Sequence, residues 1–346
     1  MAEQDLFSKD FLKEVQTVLN LSDIELNQLI TEAAQANYIF DKRMFESRGI
    51  PFIPFDQNYF MQSLTRGIID NTQNTLVNIT RSLGFLTRTP QGLVTTPLAQ
   101  FYRQELDFAV TKVASGVQTF DQAVRQAVVK MADSGVRTAE YATGHTDRID
   151  VAARRAVMGA MRDLTNLQSE YNADIMGVTT YEISWHGGHR PSHAWGGRRF
   201  DTEGIIYPTE EELYKAYKSP EGVVGTLEDY NCYHEKYAVF PDAPSAYPDS
   251  ELNRLEDEEK KEKSFESKRY DAYEARQQQR YLERCIRRQK SIQAGLEGAK
   301  AGGADVDKDL MNAQIKMRML RDKYKNFSEA MGLRTEPERI NTGFTV

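Results

Sequence analysis

The sequence predicts an α+β protein that is predominantly helical, and three observations carry the prediction. Apolar residues recur at three and four spacing through most of the chain, the signature of amphipathic helices. The period shortens to two only at Thr179–Trp185 and Lys236–Phe240, enough for a short sheet. After Pro241, Pro244 and Pro248 the composition becomes charged and helix-compatible, from about Asp249 to Gly298 and from Asp305 to Met331, with Gly302-Gly303 as a turn. A chain of 346 residues exceeds the ~100 to 200 of one domain. The expected organisation is therefore a helical docking region over 1–90, a central α+β domain over 91–245, and a long C-terminal helical hairpin with a tail over 246–346.

Each element has a local reason. Phe11, Val15, Val18 and Leu19, then Ile24, Leu26, Leu29 and Ile30, read as two amphipathic helices joined near Ser22, which forms a capping box with Glu25. Pro51 and Pro54 end that pattern, since neither can donate a backbone hydrogen bond. A helix follows from Asp56 to about Leu83. Its polar face, Asn71, Gln73, Asn74, Asn78 and Thr80, is amide-rich rather than charged and suits a packed protein neighbour as readily as an exposed surface. Thr96-Pro97 reads as the N-cap and first turn of a helix carrying Leu98, Phe101, Leu106, Val110 and Val113. Asp121 reads as the cap of the next. Asp147 to Gly177 is an alanine-rich core helix closed by its glycine, and the two period-two segments come after it as half-buried strands.

The balance of 51 acidic against 44 basic residues disfavours long-range attraction to nucleic acid or an anionic membrane, so any DNA contact must be local. Two cysteines, Cys232 and Cys285, give no disulfide framework and suit a reducing compartment. Met1–Asp10 lacks a basic segment leading into an apolar run, and no stretch reaches the ~18 apolar residues of a membrane span. The expectation is a soluble, unexported protein assembled in a cytoplasm.

Chemistry concentrates in Trp185-His186-Gly-Gly-His189-Arg-Pro-Ser-His193-Ala-Trp195 and, further on, Asn231-Cys232-Tyr-His234. Imidazole and thiolate are zinc's preferred ligands, so His186, His189, His193, Cys232 and His234 can supply a tetrahedral set from a loop and a strand edge. The spacing matches no standard zinc finger or HExxH helix. The same residues equally fit a tight loop whose histidines hydrogen-bond backbone carbonyls. They also fit a hydrolase in which Cys232 attacks and His234 or His189 is the base. No phosphate loop, nucleophile elbow or dinucleotide fingerprint is present, and the expectation is a protein that is not an enzyme and needs no cofactor. On the C-terminal arm, Arg276, Arg280, Arg284, Arg287 and Arg288 alternate with tyrosines and glutamines, a surface for phosphates or a protein ring. Glu274 and Glu283 break the basic run and favour salt-bridged solvent exposure.

In order, Val151-Ala-Ala-Arg-Arg-Ala-Val157, the Trp185–His193 segment, Gly196-Gly-Arg-Arg-Phe200, Asn231-Cys232 before a tyrosine and phenylalanine strand, and Tyr273–Arg287 with Gly332-Leu-Arg334 resemble the phage minor capsid protein 2 family, related to Mu-type head-morphogenesis proteins. The resemblance runs from about Leu86 to the C-terminus. It implies a low-copy virion protein at the portal vertex of a phage head. Its implied partners are the portal protein, the major capsid or other head proteins, and packaged DNA, with no membrane; its role is head assembly, with help in DNA packaging or delivery. Family members carry a Gly-Lys turn and a Cys-Arg-His where this chain has Gly197-Arg198-Arg199 and Cys232-Tyr233-His234, which weakens any shared metal or catalytic role for the loop. The apolar faces of the N-terminal helices, with Phe11, Val15, Leu26, Leu29, Ile30, Phe60 and Leu64, are the expected docking surface. The alternative function is a virion-associated hydrolase, metal- or Cys/His-dependent, using the His186–His234 region.

Overall fold

In a computed structural model of the chain, the period-two segment Thr180–Ile183 (β5) is the middle strand of a three-stranded antiparallel sheet of order β6-β5-β7. Its neighbours are Arg199–Asp201 (β6) and Lys236–Ala238 (β7), with Tyr181 opposite Phe200 on one side and Ala238 on the other. The structure describes residues 23–81, 83–89, 92–97, 137–139, 146–227, 229 and 232–340, together with separate positions between 101 and 129. Two compact units emerge, each assembled from separated stretches of chain. One contains Leu21–Asn74 and Arg155–Arg276; the other contains Thr75–Arg154 and Gln277–Val346.

The first unit is built on helices α1 (Asp23–Phe40), α2 (Lys42–Ser47), the first part of α3 (Tyr59–Arg81), most of α4 (Ile149–Met176) and the short α5 (Glu210–Ala216). Gly177, at φ +63°, closes α4: Val178 N–H reaches back to the Ala173 carbonyl, a left-handed C-cap that glycine adopts without strain. Helix α1 meets α4 through amides rather than a purely apolar seam. Asn37 donates to Gln168 Oε1 at 3.0 Å, and Asn58 donates to Tyr38 and Tyr171 hydroxyls at 2.9 and 3.0 Å. Of the amide-rich face of α3, Gln73 finds a neighbour within the chain, donating to Asn27 at 2.8 Å, while Asn71 and Asn74 are exposed. The apolar core gathers Phe45, Met176, Tyr181, Ile183, Trp195, Phe200, Leu213, Leu227 and Ala238.

Asp41 lies in this unit, partly buried, and accepts from Asn172 Nδ2 at 2.6 Å. Burial raises its pKa to about 7 against the opposing Asn172 bond, with Tyr38 and Tyr237 as the other titratable groups that feel its charge. A carboxylate whose folded pKa lies above its unfolded value of about 4 binds its proton more tightly when folded, so its stabilising effect is greatest below pH 4 and is lost as pH rises to 7. Asp41→Asn removes that loss. The variant is expected to be more stable than the parent at pH 8 by on the order of 2 kcal/mol, with a higher melting temperature, and to match it at pH 4. Thermal melts across that range check the difference.

The second unit contains a four-stranded antiparallel sheet of order β2-β1-β3-β4, from Leu83–Thr89 (β1), Gly92–Pro97 (β2), Arg137–Ala139 (β3) and Thr146–Arg148 (β4). Here the structure corrects the sequence. Thr96 and Pro97 end a strand, with Phe85 opposite Thr96, instead of starting a helix. A proline is tolerated there because β2 is an edge strand and the missing donor falls at its end. The cap assigned to Asp121 belongs to Thr119, whose Oγ1 accepts from Gln122 N–H while Gln122 Oε1 accepts from Thr119 N–H. The helical arm is α7 (Ala272–Ala301) and α8 (Asp307–Met331), joined at Gly302-Gly303 as expected. From residue 277 onward α7 packs against α8 through Ile292, Leu296, Val306 and Ala313, and Gln279 donates to Ser328 Oγ and the Arg334 carbonyl.

Before α7 the helix expected to run unbroken from Asp249 is interrupted. Helix α6 (Asp249–Glu259) stops, and a small hairpin, Lys263–Phe265 (β8) with Lys268–Tyr270 (β9), turns at Glu266, φ +54°. The hairpin is largely exposed, so no alternation of apolar residues announces it. Of the two strands expected to be half-buried, β7 is partly buried and β5 differs: all four residues of β5 are buried, as befits a central strand, and the buried Glu182 is matched by Arg199 from β6. Phe11, Val15 and Ser22 lie outside the described residues.

Candidate functional site

The histidine-rich segment leaves β5 and folds back as a short turn of 3-10 helix, Pro191–His193, before re-entering the sheet at β6. Trp195 anchors this loop. Its ring is fully buried, stacks on His193 at 4.9 Å and donates its indole N–H to the Gly225 carbonyl at 3.0 Å. Gly225 is required there: a Cβ would lie 2.6 Å from the Ser192 carbonyl and 2.4 Å from the His193 ring. Gly225 is thus pressed against the 191–195 turn, and Cys232, 39 residues on from His193, and His234 come to lie beside that ring.

Three side chains converge. Cys232 Sγ lies 3.7 Å from His193 Nδ1 and 3.5 Å from His234 Nδ1. All three residues are buried, and their potential ligand atoms lie within 4.8 Å of one another. The other nitrogen of His193, Nε2, is 3.0 Å from Asp229 Oδ2, and Asp229 is held in turn by the Thr226 hydroxyl at 3.1 Å. An Nε2–H donated to that carboxylate leaves the Nδ1 lone pair facing the thiol.

Electrostatics follow burial. Desolvation lowers His193 and His234 below the ordinary imidazole range, in His193 against the opposing pull of Asp229. Both rings are therefore neutral near pH 7. Burial pushes the Cys232 thiol up, the reverse of the activation a thiolate nucleophile needs. Burial would raise Asp229 too, but the bonds from His193 and Thr226 outweigh it and hold the carboxyl below its usual range.

Of the five residues expected as ligands, the structure groups three. His186 packs its ring on His234, with centroids 4.1 Å apart, and burial together with His189 lowers its pKa to about 3. The Nε2 atoms of His186 and His234 are buried without a hydrogen-bond partner. His189 stands apart, its Nδ1 placed 3.0 Å from the Arg190 carbonyl. Asp229 and Gly225 were not singled out by sequence; the signal available for Asp229 was its place three residues before Cys232, in an Asp-x-x-Cys-x-His run.

The docking and basic residues are dispersed. Leu26 and Ile30 are buried inside the first unit, Leu29 and Leu64 are partly buried, and Phe60 is exposed but stacks on Tyr171 at 4.4 Å. An apolar stripe spent on the chain's own core is not a docking face, which corrects the sequence expectation at Leu26 and Ile30. Among the arginines, Arg284 and Arg288 are exposed; Arg276, Arg280 and Arg287 are partly buried. Arg276 lies against Gly188, and Arg287 donates to the Arg339 carbonyl.

A family model described as Phage minor capsid protein 2 matches residues 1–328. The chain belongs to that family. The role this carries is structural, in the phage virion, and other head proteins are the partners it suggests. No curated protein and no solved structure matches the chain. No described helix is long and apolar enough to cross a membrane. In this minor capsid protein the buried His193–Cys232–His234 cluster lies on the loops flanking the three-stranded sheet.

Proposed function

We propose that this minor capsid protein acts at the portal vertex during head assembly, binding the portal protein and neighbouring head proteins and assisting DNA packaging or delivery. Family membership supplies the virion role. The observation that supports a protein-docking role is on α8. Met311, Ile315 and Met319 recur every four residues and are 57, 52 and 65% exposed, while Ala313, Met317, Tyr324 and Phe327 face inward. A helix with one apolar stripe buried and a second in solvent offers a face to another protein, since isolated soluble helices keep their outer side polar. Any contact with packaged DNA falls to exposed arginines such as Arg284 and Arg288 and is local, because the chain carries net charge −7.

The test is co-expression with the portal protein of the same phage, followed by sizing and crosslinking. The wild-type chain is expected to co-elute with portal oligomers. Replacing Met311, Ile315 and Met319 with serine should weaken that association at least about tenfold while leaving the fold intact, because all three side chains are already in water. Equal binding by the triple variant would take α8 out of the reading, and no complex with the wild type would take out the portal itself. Removing residues 1–83 is a poorer probe, since Leu26, Ile30 and Phe45 would leave the core with them.

A further inference from the structure

We infer that His193 Nδ1, Cys232 Sγ and His234 Nδ1 bind a single zinc-class metal ion that clamps the 185–200 loop to the 225–235 segment. The distances carry the argument. Zinc bonds to sulfur at about 2.3 Å and to imidazole nitrogen at about 2.05 Å, so a tetrahedral angle sets sulfur and nitrogen about 3.6 Å apart. The two separations are 3.7 and 3.5 Å. A thiol–imidazole hydrogen bond also spans such a distance, but Cys232 has one proton and two imidazoles aimed at it from different elements, an arrangement that a shared cation explains directly.

The surroundings have the second feature of a metal centre. Metal-bound histidine usually passes its other N–H to a carboxylate, which fixes the tautomer and the ring. Asp229 does this for His193 at 3.0 Å, and Thr226 orients Asp229. Borderline-soft thiolate with imidazole selects zinc over magnesium or calcium, which take oxygen. His186 is the nearest further imidazole, its ring 4.1 Å from that of His234 and its Nε2 buried and unpaired, and it or a water takes the fourth position. With all three ligands buried, the ion is structural: it ties together segments that the sheet leaves 39 residues apart in sequence.

The experiment uses the untagged full-length chain, expressed with added zinc and purified without chelator. Elemental analysis is expected to find about one zinc per chain, and exchange into cobalt should give a thiolate-to-metal charge-transfer band. Cys232→Ala, which replaces a small buried side chain with one of similar bulk, should lose both signals. Asp229→Asn, at a more exposed position, should keep the fold and weaken zinc about 10 to 100-fold in chelator competition. Zinc well below one equivalent with no cobalt–thiolate band would show a hydrogen-bonded thiol–imidazole cluster only and overturn the assignment. Undiminished zinc in both Cys232→Ala and His234→Asn would overturn it equally.

Discussion

Arg199→Met is expected to destabilise the first unit by about 3 to 5 kcal/mol. Arg199 and Glu182 are both buried, and their Nε and Oε2 are 2.7 Å apart. The pair is fully embedded. Glu182 also accepts from Ser245 Oγ at 2.8 Å and Ala246 N–H at 3.0 Å, while Arg199 donates to the Ala243 carbonyl at 3.0 Å. Removing the guanidinium strands a carboxylate in a place that water does not reach, and the penalty is that stranded charge more than the lost attraction. A double variant, Arg199→Met with Glu182→Gln, is therefore expected to recover a good part of the loss. Tryptophan fluorescence in a denaturant titration reads the effect cleanly, because the chain's two tryptophans, Trp185 and Trp195, both lie in this unit. A loss below about 1 kcal/mol for the single variant would mean that water reaches Glu182 after all.

Trp195→Ala is expected to cost as much, about 3 to 5 kcal/mol. Its indole fills the space between His193, His234 and Tyr214, with ring centroids 4.9, 4.7 and 5.1 Å away. The loop around it cannot collapse easily, since the Gly225 backbone is already at closest approach. Trp195→Phe keeps most of the volume but leaves the Gly225 carbonyl without its donor, and should cost ~1 to 3 kcal/mol. Circular dichroism in urea measures both variants. If phenylalanine proved as damaging as alanine, the hydrogen bond rather than the packing would be the dominant contribution.

The helices were legible because their periodicity is long and their stops are chemical. The alanine-rich helix ends at the glycine that the pattern names, and the turn at Gly302-Gly303 joins the two arms. What escaped were hairpins too short or too exposed to show alternation. Lys263–Tyr270 reads as helix because its charges fall at helical spacing, and Gly84–Pro97 hides behind a threonine and proline that also make a good helix start. In the cluster, residue types gave the cysteine and histidines. Only the fold could choose among them, since the grouping depends on the 225–235 segment returning to Trp195 rather than on any local spacing. For Leu26 and Ile30, amphipathicity gave burial but not the identity of the neighbour, which proved to be the chain itself.

The excursion between β6 and β7 begins and ends on the same sheet, flanking one central strand. Closing such a loop costs entropy that grows only with the logarithm of its length, about 0.6 kcal/mol for each doubling. At its exposed turn, where Gly222 sits at φ +84° and Ser219 N–H and the Val223 carbonyl close the bend, every bond is local: Ser219 Oγ donates to Glu221 at 2.8 Å and accepts from Val223 N–H at 3.2 Å. Chain length is thus nearly free to vary at that turn, and a peptide tag could be grafted there while the register of all three strands stayed fixed.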